Sequence, residues 1–598
     1  MATVKKPSSN QPGLADLAWV DQPGNLGNQR MEWKSDAIAE MVRRLDLGYM
    51  ALVPGASYRG FHDSIVNFLG NTNPKMLVCL HEEHAVAIAH GFAKVTDRPM
   101  AVALHTNVGL MHASMAIFNA WCDRKPMVIF GANGPMDAEQ RRPWIEWIHT
   151  SADQGALVRG YTKWDDAPRS VPAALESILR AYQLAVTPPL GPTYVCLDTG
   201  MQEERLEGEV RFPEAERFRP ARAAAPRADD VRAAADILLA AERPVILAGR
   251  VSRDANAWER RVRLAEALGA LVMTDLHTSA AFPSEHPLHP LEPRFHPGAR
   301  HIEALRRADA ILSLDWLDLG GFVKRAGGPE KVPGRIIHAS VDSYVHRGWS
   351  MDYHILPCAD LPILATPDMV VEALLEEIGA RGGGTPHAPK LAIEPEPVDK
   401  APPASGPMTL RNMAVLWRSF RDSRNDVSLI SMPLGWPGDC VGISGPLDFF
   451  GSNGGAGVGA GPGIGVGAAL ALKDTGRLPV AIVGDGDFAM GATALWTASH
   501  LDLPLLYVIA NNRAYFNDVA HQERVAKNRS RPPENKWIGQ YMTEPEVDMV
   551  SLARSFGFEA RSVADAAEVP AALEAAAEQV NRGGRFVLDV RVEPGYAD

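Results

Sequence analysis

Gly484-Asp485-Gly486 is followed, after 24 intervening residues, by Asn511-Asn512. The residues before the first mark, Leu478 to Val483, read as a buried strand. Phe488 to Leu501 reads as an amphipathic segment, and Leu505 to Ile509 as a second strand. A strand-turn-helix-strand unit of this length is a βαβ crossover, which makes the two strands parallel neighbours. Asp485 and Asn512 then stand at the carboxyl ends of adjacent strands, where open α/β sheets bind ligands. A carboxylate and a carboxamide oxygen are hard ligands suited to magnesium. Magnesium takes few protein ligands and fills its shell with phosphate and water. The unit therefore predicts a magnesium-bridged diphosphate.

Around this unit lies a chain of 598 residues, long enough for about three or four domains. Its net charge of −12 argues against a nucleic-acid-binding surface and gives no support to an anionic membrane partner. The five cysteines, Cys79, Cys122, Cys196, Cys358 and Cys440, are scattered without paired spacing. That pattern fits reduced residues of a cytoplasmic protein. The run Phe449 to Leu472 is uncharged but is broken by nine glycines and a proline. It reads as glycine loops, and no transmembrane segment is expected.

Short β-rich runs alternate with helical patterns from one end to the other. Met76 to Leu80, Met100 to Leu104, Pro126 to Phe130 and Pro192 to Leu197 read as strands of a first unit. Pro244 to Ala248, Leu271 to Thr274, Ala310 to Leu314 and Ile336 to Ser340 belong to a second. Val427 to Ser431 and Phe586 to Val590 join the two opening strands in a third. Continuous apolar strands between helices imply parallel sheets covered on both faces. The predicted fold class is α/β, three consecutive domains with mainly parallel sheets. A tail at 1–30 precedes a first domain at 31–205, a linker at 206–228, a middle domain at 229–381, a linker at 382–407 and a third domain at 408–598. The second linker carries seven prolines.

The opening motif resembles that of the thiamine diphosphate-dependent enzymes, in the group containing acetohydroxyacid synthase, benzoylformate decarboxylase and cyclohexanedione hydrolase. The resemblance covers nearly the whole chain after about Arg30. It implies a pyrimidine-binding first domain, a middle domain and a diphosphate-binding third domain. Asp485, Asn512 and the backbone carbonyl of Ala514 would hold magnesium, with Gly484 and Gly486 against the cofactor. The family also requires a glutamate after a first-domain strand, to hydrogen-bond the aminopyrimidine ring. Leu80-His81-Glu82-Glu83-His84 follows such a strand, and Gly91-Phe-Ala stands nine residues beyond Glu82, a register that selects Glu82. His81-Glu-Glu-His84 is not a zinc motif, since its histidines are three apart and no third ligand is apparent. In the glycine-rich run, Val458 would hold the cofactor bent. The alternative for that run is backbone packed closely against another chain.

His105 stands 23 residues after Glu82 at a strand end and resembles the active-site histidine of benzoylformate decarboxylase. His112 is a further catalytic candidate. Ala56 stands where that decarboxylase has a serine, and the middle domain lacks the flavin-associated arginine pattern, which speaks against FAD. Arg524, Lys527, Arg529 and Arg531 lie in a polar stretch that could meet an anionic substrate group or simply be solvated. The resemblance implies a homodimer or homotetramer with active sites at the interface and a small carbonyl substrate; the negative charge adds the expectation of no nucleic-acid or membrane partner. The reading is cleavage or formation of a C–C bond beside a carbonyl, foremost 2-oxo acid decarboxylation with carboligase capacity. Cleavage of a 2-hydroxy ketone or diketone is the first alternative. A nicotinamide nucleotide oxidoreductase using Gly463-Ile-Gly465-Val-Gly467-Ala468 is the second.

Overall fold

The computed structural model describes residues 21–27, 29–223, 225–344, 355–394, 401 and 403–596. Most of the expected tail, and parts of both expected linkers, lie outside these residues. The rest forms three sheets, and every strand pairing in them is parallel. The first contains β1 (Tyr49–Leu52), β2 (Lys75–Val78), β3 (Ala101–Leu104), β4 (Met127–Asn133), β5 (Trp164–Asp166) and β6 (Pro192–Asp198), in the order β2-β1-β3-β4-β6-β5. The second contains β7 (Pro244–Ala248), β8 (Leu271–Met273), β9 (Ala310–Leu314), β10 (Arg335–Ala339) and β11 (Leu361–Ile363), in the order β11-β10-β9-β7-β8. The third contains β12 (Val427–Ser431), β13 (Leu478–Gly484), β14 (Leu505–Asn511), β15 (Glu559–Val563) and β16 (Arg585–Arg591), in the order β12-β13-β14-β16-β15.

All the strands expected from apolar runs are present within a few residues of their predicted limits. Four others lie outside the expected runs. β5, β11 and β15 are edge strands with polar, proline-containing or charged sequences, whereas β1, Tyr49-Met-Ala-Leu52, is an apolar run as short as β2 and β3. The segment Phe488 to Leu501 forms two short helices, Asp485–Gly491 and Ala494–His500, in place of one continuous helix. No helix among the described residues is long and apolar enough to cross a membrane.

The first and third sheets are joined by two helices, Glu82–Thr96 and Ala460–Leu472. Residues of both helices belong to one continuous hydrophobic core. The second helix contains four glycines and would be unstable alone. Its glycines earn their place by close approach. A Cβ on Gly467 would lie 1.9 Å from the Ile88 carbonyl oxygen, and one on Gly91 would lie 2.1 Å from that of Ile464. The helical part of the glycine run is therefore closely packed, against a helix of the same chain where the alternative expected another chain. Gly463 and Gly467 are consumed by this contact inside a helix, so Gly463 to Ala468 forms no strand-to-helix phosphate turn. That removes the basis of the nicotinamide reading. At the same seam Lys94, 2 % exposed, donates to Asp123 and to the Ser452 carbonyl at 2.6 Å.

An alanine in place of a mid-helix glycine ordinarily stabilises by about 0.5–1 kcal/mol. Gly91→Ala is expected to reverse that sign and destabilise by about 1–3 kcal/mol, because the new methyl meets backbone. A lowered denaturant midpoint checks this; an unchanged or raised one would remove the glycine contact as a determinant of the fold.

Candidate active site

Two clusters of side chains are built at strand ends on either side of this seam. In the third sheet, Gly484 pairs with Ala510, so Asp485 and Asn512 follow adjacent strands as the spacing predicted. Asp485 is 3 % exposed. Its Oδ1 accepts the Gly486 N–H at 3.0 Å, whereas Oδ2 is buried with no hydrogen-bond partner. Burial pushes this carboxyl up to about 6, partly offset by backbone N–H groups nearby. Asn512 Oδ1 accepts the Ala514 N–H at 2.9 Å, which fixes the carboxamide in the loop. A buried carboxylate oxygen without a partner is costly unless a cation meets it. Carboxylate, carboxamide and backbone carbonyl form a donor set that suits magnesium.

In the first sheet, Glu82 opens its helix directly after β2 and is 8 % exposed. His112 Nδ1 lies 3.0 Å from Glu82 Oε2. The His81 ring stacks on that of His112 with centroids 5.1 Å apart, and its Nδ1 accepts the Glu83 N–H at 3.2 Å. The potential ligand atoms of His81, Glu82 and His112 all lie within 4.8 Å of one another. His112 comes to this group from the helix Thr106–Cys122, while His84, the other histidine of the His81–His84 segment, is not part of it. His105 ends β3 as the N-cap of that helix. Ser57 Oγ lies 2.9 Å from its Nδ1, and the His149 ring meets it edge-on at 5.0 Å. Burial, and then His149, hold the His105 imidazole below its usual range. Gly109 lies between the two groups: a Cβ there would be 3.4 Å from Glu82 Oε1 and 3.5 Å from His105 Cβ. Glu82, His105 and His112 are therefore gathered in one place.

The clusters are linked through their scaffolds. His84 Nε2 lies 2.7 Å from Thr493 Oγ1, and Thr497 donates to the Val78 carbonyl at 2.9 Å. Asp487 Oδ1 accepts the N–H groups of Gly459 and Gly461, at 2.6 and 3.3 Å, and so ties down the loop carrying Val458. Val458 itself is 45 % exposed. Among the described residues, no hydrogen bond or ion pair joins Glu82 to Asp485 or Asn512. Ser57, His149 and Asp487 were not singled out from sequence; only Asp487, adjoining the opening motif, carried any local signal. A cavity of about 710 Å³ lies where the middle domain meets this seam, with Lys94, Asp123 and Ser452 on one side and Arg250, Asp315 and Asp342 on the other, and none of Glu82, His105, Asp485 and Asn512 lines it. Its charged lining is partly closed by internal pairs, such as Arg124 with Asp342 at 3.1 Å, so the orphaned Asp485 oxygen is the better guide to the chemistry.

Residues 33–157 match the thiamine pyrophosphate enzyme N-terminal TPP binding domain, 231–366 its central domain, and 432–590 its C-terminal TPP binding domain. The chain belongs to the thiamine pyrophosphate enzyme family. Thiamine pyrophosphate is thiamine diphosphate, so both clusters lie within cofactor-binding domains of this family. A probable acetolactate synthase large subunit of Methanocaldococcus jannaschii is 24 % identical over 571 residues, covering 91 % of this chain and 89 % of that protein. The benzoylformate decarboxylase of Pseudomonas aeruginosa is 26 % identical over 521 residues, covering 84 % and 89 %. The structure of a thiamine diphosphate-dependent 4-hydroxybenzoylformate decarboxylase from Rhodococcus jostii superposes with a TM-score of 0.75 at 21 % identity, over 94 % of this chain and 99 % of that one. This last likeness is one of fold.

Burial also pushes the Asp487 carboxyl up to about 6. Its unfolded value is about 3.9. Stability is therefore lost as pH rises between those values, by about 2 kcal/mol for this partly buried group. Asp487→Asn keeps the acceptor for Gly459 and Gly461. The variant apoprotein is expected to have a higher denaturant midpoint than the parent at pH 7.5, with the gain vanishing near pH 4; a pH-independent difference would contradict this.

Proposed function

We propose that this protein is a thiamine diphosphate- and magnesium-dependent enzyme that decarboxylates a 2-oxo acid and has carboligase capacity. The observation that carries the reading is the buried, unpartnered Asp485 Oδ2, at a strand end beside Asn512, in a chain whose first domain presents Glu82 next to His105. When bound, thiamine diphosphate supplies the electron sink that lets a C–C bond beside a carbonyl break. Asp485, Asn512 and the Ala514 carbonyl hold magnesium, with Gly484 and Gly486 against the diphosphate. Glu82 holds a proton against the aminopyrimidine ring, and His112 orients the Glu82 carboxyl. Val458, on the loop held by Asp487, would support the bound cofactor. His105 meets the oxygen atoms of the substrate.

The protein works as a homodimer or homotetramer in which one subunit's Glu82 cluster serves another subunit's Asp485 cluster. Two features support this. Within one chain the clusters are not directly joined. Met111, Met115, Val458 and Met490 are also exposed, and a Cβ built on Gly457 or Gly459, on either side of Val458, would lie 2.7 Å from Met115 Cε or 3.2 Å from Met490 Cβ. An apolar strip of this kind marks an association surface.

Glu82→Gln is expected to keep thiamine diphosphate affinity, measured by calorimetric titration, within a few-fold while turnover falls at least about a hundredfold. Full turnover would remove Glu82 from the chemistry. Asp485→Ala should cost magnesium-dependent cofactor binding more than the about 10- to 100-fold typical of outer-sphere partners. Unchanged affinity would take Asp485 out of the metal site.

A further inference from the structure

One of the two ring nitrogens of His105 is already committed. Ser57, 1 % exposed, places its hydroxyl 2.9 Å from His105 Nδ1. The same oxygen accepts the Thr106 backbone N–H at 3.3 Å. The Ser57 backbone is held in turn: Thr199 Oγ1 and Gln202 Nε2 donate to its carbonyl at 2.8 and 3.1 Å. Gly55 makes room for the imidazole, since a Cβ there would stand 2.5 Å from His105 Cβ. Thr106 has a φ of 33°, unfavourable for a β-branched residue. Such strain persists only where the surroundings over-determine it, and it clusters at functional sites.

A serine hydroxyl carries one proton and two lone pairs. The Thr106 N–H occupies one lone pair. A buried hydroxyl is expected to donate its proton as well. The His105 Nδ1 is the acceptor placed to receive it. We propose that Ser57 is a positioning residue, which donates to His105 Nδ1 and so fixes the proton of the neutral imidazole on Nε2. Burial, and then His149, hold His105 below its usual range, which favours the neutral ring that this geometry needs. In this tautomer it is a fixed N–H donor. The chemistry it selects is an anionic or carbonyl oxygen, such as those of a 2-oxo acid, and that assignment rests on the function proposed above. Arranging such a donor in advance lowers the cost of orienting it in the complex.

The test is solid-state NMR of the purified full-length protein carrying ¹⁵N-histidine, with the His105 signals assigned by their loss in His105→Asn. At pH 7.5 the parent is expected to show a single His105 tautomer, protonated at Nε2 and hydrogen-bonded at a bare Nδ1. Ser57→Ala should convert this to a mixture of tautomers, while Ser57→Thr, which keeps the hydroxyl, retains the single form. A parent His105 protonated at Nδ1 would overturn the proposal without any variant. So would an unmixed Nε2 tautomer in Ser57→Ala. Neither result needs a substrate. Inactivity of the chain on every 2-oxo acid would defeat the proposed function and leave the tautomer assignment standing.

Discussion

The contact between the helices Glu82–Thr96 and Ala460–Leu472 is the constraint on which the rest of the molecule depends. It brings two backbones together through Gly91 and Gly467, at distances that no side chain allows. Each helix begins at one of the two functional clusters. Glu82 is the first residue of one, and the Val458 loop leads into the other. Fixing the helices against one another thus fixes the position of a first-sheet carboxylate relative to the third-sheet loops. The helix that achieves this has poor intrinsic propensity, so it exists because of its packing.

Around that apolar contact the chain manages several buried polar groups by different means. Lys94 is satisfied by Asp123 and a carbonyl from the third domain, and Asp123 also lies 2.8 Å from His90 Nε2. The cluster holds the Asp123 carboxyl below its ordinary range. Removing one partner from such a group typically costs about 3–5 kcal/mol, so this is a structural network. Asp485 differs: one of its oxygens is buried and left over. Other buried polar atoms lack partners too, His90 Nδ1 of that network among them, but among the described residues Asp485 Oδ2 is the one carboxylate oxygen left so, and a cation would relieve it.

The first-domain cluster shows the same division of labour. His112 binds the Glu82 carboxyl, His81 stacks on His112, and Ser57 holds His105. These supporting groups come from separate parts of the chain. Together they set the orientation of the carboxylate and imidazole more tightly than the strand ends alone would. Precision at a site depends on such supporting contacts as much as on the reacting groups.

Sequence by itself determined the α/β class, the parallel strands and the position of the Asp485–Asn512 unit. Those properties follow from local signals: apolar runs bounded by turns, and a fixed spacing within one βαβ crossover. Glu82 and His105 were legible because each follows an apolar strand at the place where the resembling family carries its glutamate and its active-site histidine. The edge strands β5, β11 and β15 were not: β5 and β15 are polar or charged and only partly buried, and β11 is three residues with a central proline. The pairing of His112 with Glu82, the stacking of His81 and the grip of Ser57 on His105 were decided by the tertiary structure. These contacts span 30, 31 and 48 residues of sequence, and periodicity carries no information about side chains that meet across different elements. The helical part of the glycine-rich run was decided the same way. Gly463 and Gly467 carry no local signal for the partner they pack against, and only the position of the facing helix supplies it.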